Sequence, residues 1–329
     1  MANSFIKAEK VARTSLGLLK RNINLPGLVW TDGFGDFAGR KNDTLTIQLP
    51  AYLDAKTRAL RSGSSRTKSS LLERSVDVKL TTDVYLDVPI TDEQLTLDIA
   101  DLGFQVLEPM TEGVGRVLEG ILAGVITAAT YENTVSYESG TDDPYDAVVV
   151  PARKALNDAN VPQDGRVLVV GSSVEADILK SDRFIDPQRG GSEEAFGNGA
   201  IRRAGGFSIF PSNSIPADQA YAFHRTAFAL VNRAPVVPAG APWGATSSYA
   251  GFALRTVRVF DPDAVEDRFI MDAWVGATAV KDEGHYDADP AAGGRFVPMG
   301  ETKVTGDASA WKNDTARLIR AVKVTRTEA

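Results

Sequence analysis

The chain has 329 residues, 43% hydrophobic and 24% charged, which is ordinary for a folded protein with room for two or three domains. Its net charge of −7 leaves no global basic field of the kind a DNA-reading protein presents. With no cysteine and only two histidines, His224 and His285, it lacks disulfides, thiolate metal sites, cysteine nucleophiles and the makings of a histidine metal cluster within one chain.

Residues 3 to 21 predict an amphipathic helix, with Ser4 as cap and Phe5, Val11, Leu16, Leu18 and Leu19 as apolar surface. The segment lacks the apolar run of a signal peptide, and no stretch reaches the roughly 18 apolar residues of a membrane span. Residues 31 to 43 read as a glycine-rich loop. Leu45, Ile47 and Leu49 then alternate with polar residues, which predicts a half-buried strand. A longer alternation follows at Val76, Val78, Leu80, Val84, Leu86, Val88 and Ile90, broken at Thr82.

Between these strands, Pro50 to Arg74 has little periodicity. It holds Lys56, Arg58, Arg61, Arg66, Lys68 and Arg74 against only Asp54 and Glu73. So long a loop is uncommon inside a compact domain unless it is functional or disordered. The flanking strands make it the tip of a two-stranded arm, and an isolated hairpin is marginal in water. The loop is therefore expected to lie against another subunit. Acidic residues at the start of the next helix, Asp92, Glu93, Asp98 and Asp101, are the candidate counter-charges.

That helix carries the strongest pattern in the chain. Leu95, Ile99, Leu102, Val106, Met110, Val114, Leu118, Ile121 and Val125 recur at steps of three and four. Thr91 with Gln94 makes a capping box, and Pro89 bars an earlier start. From Thr91 to Ile126 such a helix spans roughly 54 Å, longer than most globular domains are wide. Pro109 predicts a kink or two stacked helices.

A polar linker, Tyr131 to Asp146, is expected next. Val148–Asn157 reads as a helix, Arg166–Val170 as a buried strand, Ser173–Ser181 as a helix, 186–200 as a loop and Phe207–Phe210 as a strand. Tyr221–Val231 fits strand or helix, and 232–248 is rich in proline, alanine and glycine. Strands return at Leu254, Val257 and Val259 and at Phe269–Val280. A last strand, Arg317–Val324, closes a Gly/Pro/Asp-rich tail that begins near Asp287.

Chemical motifs are weak. Val167 to Gly171 resembles a strand and glycine turn, but a dinucleotide site needs several glycines and here there is one. Asp261, Asp263, Glu266 and Asp267 lack the glycine and terminal glutamate of a calcium loop and read as a turn between strands. His224, flanked by aromatics, reads as packed rather than catalytic. Lys312, Arg317, Arg320, Lys323 and Arg326 read as one solvated face of a strand.

The order of parts resembles the major capsid proteins of tailed phages, the Hong Kong 97 fold, and within it the P-twenty-two type coat protein branch. The residues that carry this are ANSFIKAEKVARTSLGLLKRNINLPGLVW for the opening helix and its exit, KNDTLTIQLP for the strand into the extended loop, and the strand-to-helix junction from Val84 to Leu95. Val161-Pro162, Arg166–Gly171, Arg202–Phe210 and Ser212-Asn213 resemble the axial core. The likeness covers about residues 3 to 285. It implies an α+β fold with an N-terminal arm (1–30), an extended loop and its strands (31–90), a peripheral spine helix and linker (91–147), an axial domain (148–248) and returning peripheral strands with a tail (249–329). The short stretch 232–248 leaves no room for the large inserted β-domain of the P-twenty-two type.

The implied function is a coat protein that self-assembles into hexamers and pentamers of an icosahedral shell around double-stranded DNA. The implied partners are other copies of itself, a scaffolding protein, a portal, a decoration protein and DNA bound without sequence specificity. No cofactor, catalytic residue or membrane is implied. The expected place is the virion capsid, assembled in the host cytoplasm. Some relatives crosslink a loop lysine to a neighbour's asparagine; Lys56 and Lys68 are present, but no partner is identifiable. An encapsulin-type protein compartment and, more distantly, an α/β nucleotide-binding enzyme are the alternatives.

Overall fold

A computed structural model describes residues 25–31, 44–49, 60, 61, 65, 74–94, 103–181, 203–249, 252–264, 266–287, 295–298 and 314–328. The predicted helix 3–21, most of the glycine-rich loop and the loop 186–200 lie outside the described residues. In chain order, β1 (Trp30–Thr31), β2 (Thr44–Leu49), β3 (Arg74–Lys79) and β4 (Thr82–Thr91) precede α1 (Glu108–Ala128). Then come β5 (Tyr131–Ser139), α2 (Val150–Asp158), β6 (Arg166–Val170), α3 (Ser172–Lys180), β7 (Arg203–Ala204), β8 (Phe207–Pro211), β9 (Gln219–His224) and β10 (Phe228–Arg233). The chain closes with β11 (Trp243–Tyr249), β12 (Phe252–Asp261), β13 (Glu266–Ala279), β14 (Asp282–Asp287), β15 (Arg295–Pro298) and β16 (Asp314–Glu328).

Two compact units form, each from three separated stretches: 1–45, 78–128 and 228–278, and 46–77, 129–227 and 279–329. The divisions expected from sequence run differently. β10 and β11 belong to the first unit with the long helix, and the tail strand β16 belongs to the second with β6 and β9.

The first unit is α1 laid on a six-stranded sheet, ordered β1-β10-β13-β12-β11 with β4 also on β13. β4 runs antiparallel to β13 from Thr91↔Glu266 to Thr82↔Val275. The helix buries Met110, Val114, Leu118, Leu122 and Ile126. After Leu118 the buried stripe shifts by one residue from the expected one, so Ile121 and Val125 are only half-buried. Thr111, on the buried face, donates to the Leu107 carbonyl at 2.7 Å and lies 3.8 Å from the Met271 sulfur on β13. A Cβ on Gly113 would come within 2.8 Å of Leu86 Cδ1, the movable end of a side chain on β4, so the helix passes close to that strand here.

The capping box forms: the Thr91 N–H donates to Gln94 Oε1 at 3.3 Å and the Gln94 N–H to Thr91 Oγ1 at 3.4 Å. Leu95, Ile99 and Leu102 lie outside the described residues. Gly103–Leu107 is wound as a π-helix, and Pro109 is the second residue of the regular α-helix that follows. Because helical backbone precedes it, Pro109 lacks the donor that a continuous helix would use there, and the π-wound turn lies at this break.

The second unit is an eight-stranded mixed sheet, ordered β15-β14-β16-β9-β6-β8-β7 with β5 also on β16. Every residue of β6 is buried, as expected of a central strand covered on both faces. Leu156, Leu168, Val174, Phe207, Ala222 and Val322 meet in one core. Tyr221–Val231 resolves into two strands joined by the short turn Arg225–Ala227. The expected polar linker is instead strand β5, which pairs parallel with β16 from Leu318↔Tyr131 to Glu328↔Ser139. Tyr131, Val135 and Tyr137 give β5 only an interrupted apolar rhythm, so its strand character comes mainly from the pairing.

Candidate assembly interfaces

β2 and β3 form a two-stranded sheet of their own, the arm expected to carry the basic loop. At the end away from the loop Leu45 and Val78 are buried, and Thr46 Oγ1 donates to Asp77 Oδ1 at 2.7 Å. In the loop, Leu60 is 91% exposed and Arg61 has φ +65°. The left-handed region costs an L-residue roughly 1–2 kcal/mol, so this turn is an unfavourable place for an arginine unless something holds it. Lys56, Arg58, Arg66 and Lys68 lie outside the described residues, as do Asp98 and Asp101. Asp92 and Glu93 are exposed in the first turn after the capping box. There they also complement the positive end of the helix dipole, a structural reason for acidic residues at this place.

The arginines of β16 are not one solvated face. Arg317 Nη1 donates to both carboxylate oxygens of Glu132, at 2.9 and 2.8 Å. Arg320 grips Asp282 through Nε at 2.7 Å and Nη2 at 2.5 Å. Arg326 Nε donates to Asp177 Oδ2 at 2.7 Å, and its Nη2 to Ser139 Oγ at 2.9 Å. Burial alone would raise the Asp177 carboxyl, but hydrogen bonds from Arg326 and Ser139 outweigh it and hold the group below its ordinary value. Tyr137 also donates to Asp177, at 3.2 Å; burial and that neighbouring charge push its hydroxyl up. These pairs fasten the tail strand to β5, α3 and β14. The partner carboxylates are distant in sequence, which is why spacing did not reveal them.

The chemical motifs resolve into structure. At the β6–α3 turn the Gly171 N–H donates to the Gln219 carbonyl at 2.9 Å and the Ser173 N–H to the Ala217 carbonyl at 3.2 Å. A Cβ on Gly171 would lie 2.3 Å from the Pro216 oxygen. Two of the backbone donors at this turn are therefore given to backbone oxygens and not left for a phosphate. Asp261 accepts the Asp263 N–H at 3.1 Å in the turn between β12 and β13, and Asp267 is paired with Arg258. No group of metal-binding side chains occurs among the described residues. His224 is buried, its Nδ1 lies 2.8 Å from Thr226 Oγ1, and burial lowers its pKa. No helix among the described residues is long and apolar enough to cross a membrane.

A family model described as phage capsid protein matches residues 75–293. A solved structure from Mycobacterium phage Che8 is 16% identical, covers 92% of this chain and 90% of its own, and superposes with a TM-score of 0.60. The capsid structure of the cyanophage P-SCSP1u is 12% identical over 100% of this chain and 91% of its own, with a TM-score of 0.58. The mature capsid of bacteriophage PhiM1 gives 11%, 87%, 82% and 0.53 for the same quantities. At these identities the likeness is one of fold. No curated protein sequence matches the chain.

Proposed function

Because this chain belongs to the phage capsid protein family and has the Hong Kong 97-like α+β fold, we propose that it builds its shell from hexamers and pentamers in an icosahedral lattice closed around double-stranded DNA. Its place is the virion capsid. The family match over residues 75–293 on this fold is the observation that carries the reading. Residues 1–30 act as an N-terminal arm, 31–90 as the extended loop and its strands, the long helix as the peripheral spine, 148–248 as the axial domain apart from β10 and β11, which belong to the unit of the long helix, and 249–329 as returning strands and tail.

The basic loop residues Lys56, Arg58, Arg61, Arg66 and Lys68 lie on the acidic helix start of a neighbour, Asp92, Glu93, Asp98 and Asp101. A loop basic on a net acidic chain favours this, because opposite charge steers docking and fixes register. The subunit works by assembly, without catalysis or a cofactor. DNA is enclosed without sequence readout, a scaffolding protein, a portal and a decoration protein complete the particle, and assembly takes place in the host cytoplasm.

Negative-stain electron microscopy of the purified protein tests the reading. Uniform closed shells that retain nuclease-protected DNA after infection are expected. Small oligomers only, or shells filled with protein and no DNA, would overturn it.

A further inference from the structure

In the eight-stranded sheet β9 ends at His224, and the chain turns through Arg225–Ala227 into β10. The chain leaves the second unit after Ala227 and re-enters it at Ala279. These two passages are tied to each other, because the Val280 N–H donates to the Ala227 carbonyl at 2.8 Å. The turn is also tied to the loop before β6, where the Arg225 N–H donates to the Gly165 carbonyl at 3.1 Å.

The buried His224 ring holds this turn, and its partners fix where its proton sits. The Thr226 backbone N–H donates to Nδ1 at 3.3 Å, and Thr226 Oγ1 lies 2.8 Å from the same nitrogen. Arg320 Nη1 donates to that hydroxyl oxygen at 3.0 Å, which leaves the hydroxyl proton for Nδ1. A backbone N–H can only donate, so Nδ1 is an acceptor and the neutral ring carries its proton on Nε2. A second proton would have to go on Nδ1, facing the Thr226 N–H. The hydroxyl can rotate away from it; the backbone N–H cannot.

The surroundings also oppose a charged ring. Burial disfavours the imidazolium first, and Arg320 on β16, Arg225 in the turn and Arg166, the register partner of His224 on β6, add to it. Asp164 meets the ring through its backbone, which favours the charged form, but the balance leaves the pKa below its ordinary value. The Asp282 carboxylate on β14 is committed to Arg320 by hydrogen bonds of 2.7 and 2.5 Å.

We propose that His224 is an acid-sensitive latch on the β9–β10 turn: neutral, it holds Thr226 and keeps the turn closed; protonated, it expels Thr226 and releases Arg225–Ala227 together with Val280. Every group involved belongs to one copy, so the latch stands apart from the shell-forming reading. The unfolded value is 6.5 and the folded one is lower, so the stabilisation is complete above pH 6.5 and is lost as pH falls from there to the folded value.

Hydrogen exchange of the full-length chain at pH 7.5 and 5.5, corrected for the intrinsic pH dependence of amide exchange, tests this. The amides of Arg225, Thr226 and Val280 should lose protection severalfold at pH 5.5, up to the ceiling of about tenfold that one histidine allows one pH unit below its unfolded pKa. His224→Asn places an amide oxygen where Nδ1 accepts but cannot take up a proton, so the loss should disappear. Nitrogen NMR of the two imidazoles should show His224 protonated on Nε2 at pH 7.5, and this readout needs no variant. Unchanged protection of the wild-type turn, the same loss in His224→Asn as in the wild type, or a proton on Nδ1 at pH 7.5 would each overturn the proposal. If His224→Asn does not fold, the wild-type exchange and the NMR decide.

Discussion

The arm and the eight-stranded sheet handle exposed strand surface in opposite ways. The sheet buries β6, most of β9 and the middle of β16, and ties its tail strand down with Arg317–Glu132, Arg320–Asp282 and Arg326–Asp177. Among the described residues the arm is a two-stranded sheet, with buried apolar side chains at one end and a 91% exposed leucine in its loop. A three-stranded or larger sheet with a covered face is stable alone; a bare ribbon is not. The sheet is therefore a folding element, and with the arm proposed as an assembly element, substitutions in the two should separate folding from assembly.

The largest expected contrast comes from reversing Arg58, Arg61 and Arg66 to Glu. The melting temperature of the subunit should not move, and shells should vanish from sucrose gradients. Particles at wild-type yield would break the comparison on the arm's side. In the sheet, Phe223→Ala empties a fully buried site and should cost about 3–5 kcal/mol by denaturant unfolding. The same truncation in the arm, Ile47→Ala, at a half-buried position, should cost under about 1 kcal/mol. Equal losses at the two sites would show that the arm is part of the folding core.

A smaller effect concerns Asp177. Its folded pKa lies below its unfolded value of 3.8, so its contribution is fully present above pH 3.8 and is lost as pH falls through the lowered folded value. Asp177→Asn should flatten the acid limb of the stability curve below pH 3.8; an unchanged acid limb would mean that the Arg326 network does not hold the tail strand. The smallest effect is expected at Pro109. As the second residue of α1, changed to Ala, it should leave the subunit at least as stable, because Ala is the better helix former. A π-helical turn precedes it, and a change in the entry to the helix should appear as sheets, tubes or wrongly sized shells in electron micrographs. Uniform shells of wild-type diameter would make the proline passive.

Much of this division was legible in the sequence where a period exposed it. The stripe from Met110 to Leu118 needed only a step of three and four, and β6 needed only its unbroken apolar run. The stripe then slipped by a residue at Leu122 because packing against the sheet, not an ideal period, decides which face is buried. β5 was missed because Tyr131–Ser139 is polar and is a strand only while β16 lies beside it. The β16 arginines were read as solvent-facing because Glu132, Asp177 and Asp282 come near them only in the fold.

Hydrogen exchange on the free subunit and on the assembled shell tests the division most directly. The account predicts that amides of β2 and β3 exchange fast in the free subunit and become protected in the shell, while those of β6, β9 and the middle of β16 are protected in both. Protection of β2 and β3 in the free subunit equal to that of β6 would contradict it.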